Sequence, residues 1–170
     1  NIFGGAITQN APATSSAGSI LINPTGNYAG NGALTATAGT VRISGGAAIA
    51  PTAAIRALET VTLSGTGAIT NSGATLTSLA SSVDVTSRSS TVNISAAISA
   101  ATTVALTASS TVTTSATVAA GTGQVTITSQ AADLSIGGAT SGTSVEMLPK
   151  TGYAGAGALT ASSGTVRITG

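Results

Sequence analysis

The sequence predicts an all-β chain wound as a parallel, triangular β-helix of about eight coils of about 21 residues. Three observations predict it. One short strand pattern recurs at nearly constant spacing, two further apolar columns keep the same period, and small polar residues fill the gaps.

The recurring pattern is Ile20-Leu21-Ile22, Val41-Arg42-Ile43, Val61-Thr62-Leu63, Val83-Asp84-Val85, Val104-Ala105-Leu106, Val125-Thr126-Ile127, Val145-Glu146-Met147 and Val166-Arg167-Ile168. Successive first members lie 21, 20, 22, 21, 21, 20 and 21 residues apart. The outer residues of each triplet are apolar and the middle one varies. That is a period of two, so the outer pair faces a core and the middle residue faces water. Ile20, Val41, Val61, Val83, Val104, Val125, Val145 and Val166 are therefore expected to stack as one core ladder.

The second column, eight or nine residues further on, is Tyr28, Ile49, Ile69, Val92, Val112, Leu134 and Tyr153. The third, six or seven residues before the next triplet, is Leu34, Ile55, Leu76, Ile98, Val118 and Leu159, with small Ala139 in the weakest coil. Ala36, Ala57, Ala100 and Ala120 are expected to fill the narrow interior. Ser44-Gly45-Gly46, Ser64-Gly65 and Asn71-Ser72-Gly73 mark corners that need positive φ. Three strands and three corners per 21 residues make one triangular turn, and eight turns make a rod of roughly 35–40 Å at the usual strand spacing. Parallel crossovers favour a right-handed coil. A helical bundle fits less well, because Thr, Val, Ile and Gly saturate the same windows and helix caps at matching spacing are missing.

Residues 25–44, TGNYAGNGALTATAGTVRIS, return as 151–169, TGYAGAGALTASSGTVRIT. Tyr28 and Tyr153 are 125 residues apart, six coils, so a longer repeat overlies the shorter one. Residues 1–170 are read as one β-helix segment, an excerpt of a longer repetitive chain. Composition agrees: 5% of residues are charged and 2% aromatic, with 42% apolar and a net charge of +1. Disorder needs the opposite balance, and a globular core of large aromatic side chains has no material here.

The chain has no Cys and no His. Disulfides, thiolate and imidazole metal sites, and Cys–His or Ser–His nucleophile pairs are thereby excluded. Scattered single cations argue against a nucleic-acid partner, and no apolar run is long enough for a membrane-spanning helix. Of the four carboxylates, Glu59, Asp84, Asp133 and Glu146, Asp84 and Glu146 share the outward column three coils apart, roughly 14 Å. That is too far for paired-carboxylate chemistry, and coils this uniform leave no room for catalytic loops. No catalytic, cofactor or metal site is expected, and no enzyme activity. Glu146 and Arg167, one coil apart, are expected to form a surface ion pair, whereas Arg42 stands opposite Leu21 and Thr62.

Hydroxyls flank the triplets, at Ser19, Thr40, Thr60, Ser82, Thr103, Ser144 and Thr165 on one side and Ser44, Ser64, Thr86, Thr107, Thr128 and Thr169 on the other. Such arrays resemble some ice-binding solenoids, but charges occupy the column between them. Gly4-Gly5, Gly45-Gly46 and Gly137-Gly138 lack the Asp of the calcium-binding nonapeptide roll. Asn93-Ile94-Ser95 is a single glycosylation sequon on an outward position.

Coils with V-x-[IL]-[ST]-G strands, as in ETVTLSGTGAITNSGATLTS (59–78), resemble the repeats of filamentous haemagglutinin-type exoproteins. The resemblance covers essentially the whole chain as a pattern. It implies a β-helical shaft carried on a Gram-negative surface after two-partner secretion, with an extracellular or cell-surface location. The family's secretion domain carries Asn-Pro-Asn motifs, and this chain has only Asn23-Pro24-Thr25-Gly26. The expected function is thus a non-catalytic structural shaft of a secreted adhesin or filament. The alternatives are a fibre subunit stacking end to end on copies of itself, or a solenoid binding ice or a glycan. The expected partners are neighbouring coils or copies, and a host glycan or surface receptor.

Overall fold

A computed structural model describes all 170 residues. Every element in it is a strand, 25 in all, arranged in three parallel sheets of nine, eight and eight strands. The first sheet runs from Ile2–Gly4 through Ile20–Pro24 and Val41–Ser44 to Val166–Ile168. The second runs from Ile7–Gln9 to Tyr153–Gly155, and the third from Ala13–Ser15 to Leu159–Ala161. Each strand pairs with the strands one coil before and after it, so the chain is a β-solenoid of about eight turns.

Register follows the apolar columns. Val61 pairs with Val41 and Val83, Val104 with Val83 and Val125, and Leu76 with Ile55 and Ile98. Strand residues alternate inward and outward, and the inward ones form a single buried cluster of 32 side chains. Ala36, Ala57, Ala100 and Ala120 belong to it. Seven of the eight ladder residues, Ile20 to Val145, are at most 9% exposed.

Four details differ from the sequence expectation. Val166 is 44% exposed, in the edge strand of the first sheet. A ninth strand, Ile2–Gly4, precedes the eight triplets and pairs Ile2 with Ile22. In the weakest coil the inward position belongs to Thr140, which pairs with Val118, while Ala139 is exposed. A shift of one residue reverses the facing of a side chain, and Thr140 is where the ladder takes its register. Gly65 continues its strand without positive φ; the left-handed glycines are Gly45, Gly46 and Gly73. At Gly46 the constraint is doubled, since a Cβ would also meet the Gly26 and Pro24 carbonyls of the preceding coil.

Short inward polar side chains close several corners. Ser87 Oγ donates to Gly67 O at 2.8 Å and accepts from Ser90 N at 3.1 Å. Ser129 Oγ accepts from Ala132 N at 3.1 Å and reaches Ser110 O at 2.7 Å, and Ser78 repeats the arrangement with Ser81 N and Glu59 O. Asn71, fully buried, donates to Ala74 O and Ala96 O at 3.1 and 3.2 Å and accepts from Ser95 N at 2.9 Å. These side chains satisfy backbone groups that turn away from the ladders, as buried polar groups require.

Two predictions follow from burial. Val104→Asp places a carboxylate between Val83 and Val125 and should cost about 4 kcal/mol. A lowered melting temperature and new proteolytic cleavage within the adjoining coils are the expected readouts. Thr140 Oγ1 is buried without a hydrogen-bond partner. Thr140→Val should therefore raise stability by about 1 kcal/mol, read as a higher denaturant midpoint at unchanged slope.

Candidate functional site

The inward positions are filled by the core, so recognition chemistry must lie on the outer faces and corners. Of the carboxylates, Asp84 accepts from Ser82 Oγ at 2.8 Å and Asp133 from Thr151 Oγ1. Glu146 accepts from Gln124 Nε2 at 3.1 Å through one oxygen and lies 3.6 Å from the Arg167 guanidinium through the other. Arg167 is largely exposed, so this pair is worth at most about 1 kcal/mol. No group of three or more acidic side chains converges as a metal site would need.

The flanking hydroxyls divide into two uses. Thr40 Oγ1 donates to Ser19 Oγ at 3.0 Å, and Thr60 Oγ1 to Ser81 Oγ at 3.3 Å, linking neighbouring coils. At the corners, Thr52 and Thr122 donate to carbonyls of the preceding coil at 3.2 and 3.1 Å. Ser64 is only 8% exposed, sheltered between Ser44 and Thr86. Gln124 and Leu148 interrupt the two hydroxyl columns, and Arg42, Asp84, Glu146 and Arg167 stand between them. Asn93 of the sequon faces outward and is exposed.

Two features escaped sequence reasoning. The first is how the tyrosine of each long-repeat copy, expected in the second apolar column, packs over a glycine of its own strand. Tyr28 is 1% exposed, and its ring lies along its own strand over Gly30, where a Cβ would come within 2.8 Å of ring carbons. Its hydroxyl donates to Gln9 Oε1 of the preceding coil at 2.6 Å. Tyr153 lies over Gly155 in the same way, but Ile136 pairs with Gly155 where Gln9 pairs with Gly30. The repeated Tyr-Ala-Gly was the available signal. The second is the one groove of the molecule, open and of about 870 Å³, at the corner between the first and second sheets over the first coils. Phe3, Asn23, Thr25, Ser44 and Thr66 edge it, with Gly45 and Gly46 in its floor.

No family model, curated protein or solved structure matches the chain. The fold and its surface are therefore the grounds for function.

Burial pushes the Tyr28 hydroxyl from the ordinary 10.0 up to about 12, and burial raises Tyr153 as well. The folded state thus holds the phenol proton more tightly than the unfolded chain. Tyr28's contribution is fully present below pH 10 and disappears as pH rises through about 12. Denaturant-measured stability should fall across that window, and Tyr28→Phe should flatten the fall. An equally steep decline in the variant would remove Tyr28 as its cause.

Proposed function

We propose that this segment is a structural shaft of a large secreted bacterial surface adhesin or extracellular filament, without catalysis of its own. One observation carries the reading. Three sheets run the full length of the segment, through coils of nearly constant size, with no excursion long enough to build an active-site wall.

Such a solenoid suits a spacer. Nine first-sheet strands span about 38 Å at 4.8 Å per step. Every coil is tied to the next along three sides, so load along the axis is shared among parallel backbone ladders. The resemblance to filamentous haemagglutinin-type repeats supports the same role and an extracellular, cell-surface location. The rival reading is a small subunit that stacks on copies of itself, since unpaired strand edges template pairing. An ice-binding face is less favoured, because Arg42, Asp84, Glu146 and Arg167 break the flat hydroxyl array.

The mass of the native polypeptide separates the two. An antibody against this segment should detect, under denaturing conditions, a surface-exposed chain many times heavier than 15.9 kDa. A native chain near 15.9 kDa would overturn the shaft and favour the fibre subunit.

A further inference from the structure

The groove between the first and second sheets goes beyond the shaft reading and does not depend on it. Its volume falls within the range of about 300–1,000 Å³ typical of small-ligand clefts. It is also where the chain's scarce recognition chemistry gathers. Of three aromatic residues, Tyr28 and Tyr153 lie along their own strands over glycines, and Phe3 alone is a large exposed ring, 67% accessible.

Phe3 lies in the outward column of an end coil in which the inward Ile2 is also exposed. It pairs with Asn23, so its ring points away from the core, on the side where the groove lies. Asn23 offers an amide with donors and an acceptor in one plane, and Ser44 offers a hydroxyl. The neighbouring threonine hydroxyls already donate within the protein, Thr25 to Gly4 O at 3.2 Å and Thr66 to Gly46 O at 2.6 Å. Gly45 and Gly46 leave the floor as bare backbone.

Charge selects among ligands. Arg42 Nη2 donates to Ser44 Oγ at 3.3 Å, on the rim of the groove. It is the only charged side chain among residues 1–55, and the nearest carboxylate in its column, Asp84, is two rungs or about 10 Å away. The groove combines one large apolar ring, the small apolar Pro24 and Ala47, an amide, hydroxyls and, beside Ser44, a cation without a carboxylate partner. It matches a pyranose, with one apolar face, a hydroxylated rim and an acid group.

We propose that this groove binds a carboxylated saccharide. The C–H face of one pyranose ring packs on Phe3, where the ring's negative face attracts polarised hydrogens. Ring hydroxyls bond Asn23 and Ser44, and the carboxylate meets Arg42 in a charge-assisted pair.

Isothermal titration with tetragalacturonate and with sialyllactose, and with neutral maltotetraose as comparator, tests this directly. Phe3→Ser and Arg42→Thr introduce residue types that the same columns already carry at Ser44 and Thr62, so the coil is retained, as circular dichroism will check. At least one acidic saccharide should bind better than maltotetraose. Phe3→Ser should weaken it about tenfold or more, and Arg42→Thr about fivefold, with a reduced dependence on salt. No binding of either acidic probe at about 10 mM, equal binding of the neutral one, or undiminished binding by folded Phe3→Ser would overturn the proposal. None of these outcomes bears on the shaft, which the native mass decides separately.

Discussion

Everything in this molecule depends on stacking in register. Each residue in a strand has as its nearest neighbours the residues one coil before and one coil after, because parallel backbone ladders bond every coil to the next. A position is therefore satisfied only if its counterpart about 21 residues away is compatible with it. This single constraint explains why the coil length barely varies. It also explains why apolar side chains recur in columns rather than in clusters along the chain.

The same constraint dictates size. Three sheets close around a narrow interior, and at each level it holds a few Val, Ile or Leu side chains with alanine between them. Tyr28 enters only because Gly30 yields its inward place to the ring, and the ring still needs Gln9 for its hydroxyl. At the corners the ladders must bend, and Ser78, Ser87, Ser129 and Asn71 supply the hydrogen bonds that regular pairing would have made. Thr140 marks the opposite case. Register brings it inward with Val118 and Leu159, and its hydroxyl finds nothing to bond.

Outward positions carry no such burden. The middle column passes through Leu21, Arg42, Thr62, Asp84, Ala105, Thr126, Glu146 and Arg167 without disturbing the ladders. A scaffold of this kind separates fold from function. The interior sets length and stiffness, while the faces are free to vary, and a groove can arise wherever a corner narrows to glycine beside a large outward side chain. The corner over the first coils meets that description, through Phe3 and the Gly45-Gly46 pair.

Sequence alone determined the architecture. The period of the Val and Ile triplets, the two accompanying columns and the alternation within strands leave one arrangement, because a repeated apolar pattern can bury itself only by stacking on its own copies. It also placed Glu146 beside Arg167, one period apart. Tertiary structure decided what periodicity does not encode. Whether Ala139 or Thr140 faces inward depends on how the corner at Gly137-Gly138 meets the coil below, and pairing with Val118 and Leu159 chooses threonine. That Gly65 continues a strand while Gly45 and Gly46 turn depends on the backbone packed beneath each corner. The groove belongs to the same class: its lining comes from four successive coils, and residues about 21 apart in the chain become neighbours only when the coils stack.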